Sequence, residues 1–373
     1  MKRFLLFAFS CLVSVQAQAN VSSFDVVVRD GVVHVLLAEK NTEKSHIHYL
    51  SSKDGGKHWS KPMTVTDNTD TIAIRGNDVQ LAASGKKLVA LWQVKGELPS
   101  MGAMVSFYSH DAGKTWHQGK NPAVDNNGDQ SHSDLIADKQ GVFHSVWLAD
   151  PEENGYQSLR YARSVDGGVT WQTPTKLDDS TCSCCWNTLA VSPNGALNVL
   201  YRDMKPRDMA LMQSSDAGQS WQRISTVGEF GWQFDGCPHI GGGLAINEDN
   251  ALYATVWTGL DNKAGLYTLS SNDNGKTWTE PKALGTVASH SDIAVKKQQV
   301  VAIWDDREAE GVGIFIAKSK DGGKTWNNPE RLTEKNALAT HPRIVATKHG
   351  FLALWTEKQK KMSTWRFKVI NAQ

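Results

Sequence analysis

Ser319-Lys-Asp-Gly-Gly-Lys-Thr-Trp326 is the stretch whose reading decides the fold. With small changes it occurs six times. The other copies begin at Ser52, Ser109, Ser164, Ser214 and Ser271 and close on Trp59, Trp116, Trp171, Trp221 and Trp278. One unit is therefore about fifty residues long, and a repeat of that length with strand-like flanks means an array of small sheets. In each copy a Ser and an Asp stand two residues apart, where their side chains can hydrogen-bond the amides of a turn. The fifth-position glycines (Gly56, Gly113, Gly168, Gly218, Gly275 and Gly323) supply the positive φ that a tight hairpin requires. The closing Trp is expected to start the next strand and to anchor one unit on its neighbour.

Short apolar runs divided by Gly, Asn and Asp turns surround each copy, which is the signature of strands. First strands are predicted at 25–28, 78–82, 134–137, 188–191, 243–246, 292–295 and 343–346. A second strand follows each and usually ends in an aromatic residue. Counting these pairs gives seven units, one more than the six copies, because the last unit ends before a further copy or a fourth strand. The expected fold is all-β: a β-propeller of four-stranded antiparallel blades. Seven blades is the preferred count, and six with an irregular C-terminal segment is the alternative.

The Ser-x-Asp-x-Gly-x-Thr-Trp pattern resembles the Asp box, or BNR repeat, of the sialidase-superfamily propellers. Copy one departs from it at His58 and copy four at Ser220. The resemblance implies that each box lies on the hairpin between the third and fourth strands, on the face away from the active site. First-strand starts and the loops between second and third strands then share the opposite, top face. Sialidase activity would further imply an arginine triad, an Asp acid/base and a Tyr nucleophile assisted by Glu. The matching motifs are missing: Ser22-Ser23-Phe24-Asp25 stands where Arg-Ile-Pro is expected, and Gly76-Asn77 follows Arg75. Arg202 and Arg307 fall on second-to-third-strand loops, and no Tyr starts a first strand.

Lys2-Arg3, an apolar run over residues 4–15 and Ala17-Gln18-Ala19 read as a secretory signal peptide cleaved after Ala19. The run is shorter than the ~20 residues of a membrane span. Residues 20–373 are then one exported propeller domain, periplasmic or secreted. Forty basic residues against 39 acidic ones give no reason to expect nucleic acid or an anionic membrane surface.

The top positions hold an unusual set. They are Arg75-Gly-Asn-Asp, Ser131-His132-Ser-Asp, Cys182-Ser-Cys184-Cys185-Trp186, Cys237-Pro-His239-Ile-Gly-Gly-Gly243, Ser289-His290-Ser-Asp and Thr340-His341-Pro. The intervening loops add Met204, Met209, Arg202, Asp203, Asp305, Asp306 and Arg307. Structural disulfides are one reading of the cysteines. Three of the four lie within four residues, however, and a bridge between near neighbours is hard to close. A soft-metal site is the main expectation, with Cys182, Cys184, Cys185 and Cys237 as thiolates and His239 as imidazole. Copper is favoured by the nearby methionines, with zinc as the alternative. His132, His290, His341, Met204 and Met209 are possible further ligands or funnel residues, although a His at each strand start also serves simply to rigidify the ring. The glycines at 241–243 are expected mainly to relieve crowding at the axis.

The competing expectation is a sialidase or another glycan-active or glycan-binding propeller, with Arg75, Arg202, Asp203, Asp305, Asp306 and Arg307 around the sugar. A third is a disulfide-stabilised scaffold for a periplasmic protein partner. The expected partner on the top face is a metal ion or a small-molecule ligand.

Overall fold

The computed structural model describes residues 20–40, 45–97, 101–124, 130–150, 156–309 and 311–371. The expected signal peptide lies outside the described residues. Seven antiparallel sheets follow one another along the chain, and within each the strands are ordered as they occur in sequence. Six sheets have four strands; the last has three, Ala339–Thr347, Gly350–Gln359 and Met362–Asn371. The protein is a seven-bladed propeller, as the strand pairs require and the box count does not. Among the described residues there is no helix, and so none long and apolar enough to cross a membrane.

The innermost strands are Val21–Arg29, Gln80–Ser84, Ser131–Ala137, Thr188–Val191, Gly243–Ile246, Ala288–Lys296 and Ala339–Thr347. Apolar clusters fill the gaps between blades: Leu36, Ile47 and Tyr49 of blade 1, for example, pack on Leu81, Leu88 and Trp92 of blade 2. The first and last blades close the ring by packing rather than by sharing a sheet. Trp59 meets Trp365 and Phe367 edge-on at 5.3 and 5.4 Å, and the Ser363 amide donates to Asn20 Oδ1.

Each box sits on the hairpin between third and fourth strands and makes the same bonds. The Ser hydroxyl donates to the Asp at 2.8 Å in all six. The glycine amide donates back to that hydroxyl at 2.8–2.9 Å. The second Asp oxygen takes the Thr hydroxyl in four boxes. In the two divergent copies it takes Ser220 Oγ or the His58 ring, so the substitutions conserve the bond.

All six glycines have φ between 79° and 93°. They also abut the preceding blade: a Cβ on Gly218 would lie 1.8 Å from Tyr161 Oη, and one on Gly56 would lie 2.7 Å from Leu352 of blade 7. The box Trp lies before the outer strand rather than in it. That strand begins at once in blades 2 and 4, at His117 and Gln222, and four residues later in the others, as at Met63 after Trp59.

Candidate functional site

On the seven inner strands, one position per blade shares the same register beside the axis: Asp25, Gln80, Asp134, Thr188, Gly243, Asp292 and Arg343. Arg343 reaches from blade 7 to Asp25 and Asp292, each at 3.3 Å. The remaining carboxylate valence is spent on neighbouring blades, with the amides of Leu81, Leu189 and Ile344 donating to Asp25, Asp134 and Asp292. Burial pushes all three carboxyls up, Asp134 to about 7. This ring floors a cavity of about 50 Å³ on the top face, lined also by Arg75, Trp186, His290 and His341. Pockets that engulf a small ligand run to ~300 Å³ or more. The floor therefore admits a sugar substituent or a few waters, and a whole ring must lie above it.

At the rim, the imidazoles of His290 and His341 stack with centroids 3.5 Å apart. Asp305 serves both. Its Oδ2 is 2.7 Å from His290 Nδ1 and accepts from the His341 amide and the Thr340 hydroxyl. Its Oδ1 accepts from the His290 amide. Burial alone would raise this carboxyl, but the bonds from His290 and Thr340 and the adjacent imidazoles bring it below the usual value. An ionised Asp305 fixes the proton of His290 on Nδ1 and leaves Nε2 as a base. His341, whose Nδ1 meets Thr340 Oγ1 at 2.8 Å, is held neutral by burial and by the nearby His290 and Arg75. Ligand atoms of His290, Asp305 and His341 all lie within 4.8 Å of one another.

Trp186 covers this pair, with its ring centroid 5.5 Å from that of His290 and 6.0 Å from that of His341. Gly241 leaves room for it: a Cβ there would lie 2.4 Å from the indole, whereas one on Gly76 would be in ordinary contact at 3.7 Å. Relief of crowding is thus the role of Gly241, as expected. The loop carrying Trp186 is pinned by two disulfides, Cys182–Cys185 and Cys184–Cys237. The short-range bridge, expected to be hard to close, forms because Ser183 and Cys184 make a turn rather than an extended strand, which brings the Cys182 and Cys185 Cα atoms to 5.8 Å. All four cysteines among the described residues are paired. His239 lies beside the second bridge, its ligand atom within 4.8 Å of the Cys184 and Cys237 sulfurs, and Met204 packs on the first.

Other expected site residues are placed elsewhere. Met209 is buried in the core between blades 4 and 5 and does not face the funnel. The Arg202 guanidinium is buried, and each of its three nitrogens donates to a backbone carbonyl, of Ile240, Arg207 and Trp257. Asp203 is paired with Arg223, Asp306 lies half-buried beside Asp305 on the second strand of blade 6, and Arg307 is exposed. Arg75 does reach the axial cavity, but its guanidinium is bonded to Asp78, the Phe24 carbonyl and the His341 carbonyl and lies 4.0 Å from the Phe24 ring. Three arginines therefore do not converge there. His132 has φ 49°, and its amide and carbonyl are bonded to Asn77 and Asn187 of the flanking blades, so its backbone rigidifies the ring. Trp186 and the axial set of Asp25, Asp134, Asp292 and Arg343 lie outside the expected site residues; the signal for the carboxylates is Asp at the first position of the predicted strands 25–28, 134–137 and 292–295.

No curated protein matches this chain. Among solved structures, an ulvan lyase described as belonging to a new family of polysaccharide lyase superposes with a TM-score of 0.66 at 12% identity, over 95% of this chain and 94% of that one. A second polysaccharide lyase gives 0.61 at 10%, over 94% and 90%. A Hadza microbial sialidase gives 0.50 at 15%, over 88% and 74%. At such identities the likeness shows the fold. The BNR repeat-like domain matches residues 26–231, more than half of the sequence, and the chain belongs to that family.

Proposed function

We propose that the protein is a glycan-active propeller that cleaves an acidic polysaccharide lying across its top face, with His290 as the base. The observation that carries this reading is the Trp186 indole above the His290–His341 pair, with Asp305 orienting His290. An aromatic face receives the C–H face of a sugar ring, and an imidazole oriented by a buried carboxylate accepts a proton. The small axial cavity speaks for a chain threaded across the funnel rather than a terminal sugar engulfed in it.

Elimination fits these groups better than hydrolysis. Most glycosidases need two carboxyl groups facing the scissile bond, and a sialidase needs a Tyr nucleophile in place of one. Here Asp305 accepts four hydrogen bonds, while Asp134 and Asp292 are each bonded by two backbone amides. In an elimination, His290 Nε2 takes the proton alpha to a uronate carboxylate. The electron pair forms the ring double bond, the bond to the glycosidic oxygen at the beta carbon breaks, and that oxygen regains a proton from solvent. The two lyases of the same fold, one of them solved bound to a glucuronic acid–rhamnose 3-sulfate unit, lend support.

The test is incubation with uronate polysaccharides, reading ultraviolet absorbance of unsaturated product together with new reducing ends. Both should rise, and His290→Ala should lower both by about a hundredfold or more. Reducing ends without absorbance would mean hydrolysis. Binding without turnover would mean a glycan-binding module, and neither binding nor turnover would overturn the reading.

A second reading rests on the sulfurs and His239. In the reduced chain, Cys184, Cys237 and His239, with Cys182 and Cys185 close by, form a soft donor set suited to copper, with zinc as the tetrahedral alternative. Metal analysis after reduction and copper titration decides it, and no uptake removes it. The paired cysteines favour an oxidising compartment and hence export to the periplasm or beyond.

A further inference from the structure

Phe234 is held out into solvent by a scaffold that nothing so far explains. It is 44% exposed, yet its ring lies flat on Trp232 (centroids 5.1 Å apart, 9° between planes), and Trp232 packs edge-on against Trp257 at 5.3 Å. The segment carrying it is fixed by buried ionic groups. Arg207 donates to the Phe234 carbonyl from Nε and to the Trp232 carbonyl from its amide. Asp208 accepts from the amides of Gly231 and Trp232, and the Arg202 guanidinium lies 5.6 Å from the Trp232 ring. Beside Phe234 runs an open groove of about 440 Å³, walled by Trp257, Pro238 and Leu260, with Gln233 and Asp261 as its polar groups. A flat apolar face ordered in advance costs little entropy when a ligand binds.

We propose that Phe234 is the platform of a second carbohydrate subsite, which takes the C–H face of a sugar ring further along a chain whose cleaved unit sits on Trp186. Continuity with the axial site carries the assignment. Cys237 lies between Phe234 and Pro238 and is bonded to Cys184, two residues before Trp186. One bridge therefore fixes both aromatic faces on the same side of the ring. The groove has the volume of a ligand site, which the axial cavity lacks. No cation lines the groove itself, but the Arg207 guanidinium lies 5.9 Å from the Phe234 ring centroid, so an acidic substituent of the stacked unit turns to it or to solvent while ring hydroxyls reach Gln233 and Asp261.

This inference rests on the glycan reading above and is tested separately from it. Calorimetric titration with di-, tetra- and hexasaccharides of glucuronic acid–rhamnose 3-sulfate should show the wild-type chain gaining about tenfold in affinity with length, as one stacked ring contributes elsewhere. Phe234→Ala should abolish the gain and leave disaccharide binding unchanged, and Phe234→Tyr should restore it. Unchanged thermal melting would establish that the alanine variant is folded. A length gain that persists in Phe234→Ala overturns the subsite alone. Affinity independent of length in the wild type does the same and leaves the groove as a protein-docking face. Absence of binding at every length overturns the glycan reading together with the subsite.

Discussion

The two faces of the ring are built from the same repeat and have opposite characters. On the bottom, six hairpins repeat one set of bonds to within 0.1 Å for the Ser-to-Asp and Gly-to-Ser contacts. On the top, the equivalent inner-strand positions carry Asp, Gln, Thr, Gly or Arg, and the loops before them range from a Gly-Asn turn to a doubly bridged cysteine loop. A turn that must place a glycine against the neighbouring blade has one local solution, and it recurs. A surface that meets a ligand is free of that constraint, so its residues differ from blade to blade.

The largest expected effect is on the top. The Cys184–Cys237 bridge spans 53 residues, and loop-closure entropy assigns such a cross-link about 4 kcal/mol. Replacing both cysteines with serine should lower the urea midpoint accordingly and free the Trp186 loop, so that indole fluorescence and glycan affinity change together. A loss of stability with unchanged affinity would show that the bridge serves the fold alone.

Next is a contrast within the bottom. At Gly218 a new Cβ meets Tyr161 Oη at 1.8 Å, whereas at Gly323 the nearest atom is 3.7 Å away, in ordinary contact. Both have positive φ. Gly323→Ala should therefore cost about 1 kcal/mol for the backbone alone. Gly218→Ala should cost about 3 kcal/mol, because a buried tyrosine must also move. Equal losses in denaturant melts would mean that inter-blade packing is not what the box glycines protect.

This contrast also explains what could be read in advance. The blade count was legible because each blade must repeat an apolar inner pair of strands, and seven such pairs are present even though the box, which only decorates a hairpin, is absent from the seventh. His290, His341 and Asp305 could be nominated as residue types, but their meeting depends on inter-strand register that no local pattern encodes. Arg202 was misjudged for a related reason. An arginine at the end of a strand has the same local sequence whether its guanidinium faces a ligand or caps three carbonyls of its own and the next blade. Trp186 stands among cysteines that carry the stronger chemical signal, while the room for its indole comes from Gly241, distant in sequence.

The smallest expected effect separates His132 as scaffold from His132 as proton carrier. Burial, with His239 nearby, lowers its pKa to about 4. A histidine whose folded value lies below its unfolded value of about 6.5 contributes stability that is complete above that pH and is lost as pH falls toward 4, since the unfolded chain binds the proton first. His132→Asn keeps a side chain that tolerates φ 49° and removes the titrating ring. Between pH 6.5 and 4 the wild-type urea midpoint should fall by more than that of the variant, a difference of order 1–3 kcal/mol at pH 4. At pH 8 the two should nearly coincide, because the Asn77 and Asn187 bonds are made by the backbone of residue 132. Should the variant instead be weaker by the same amount at every pH, the ring matters through packing, and His132 belongs with the scaffold.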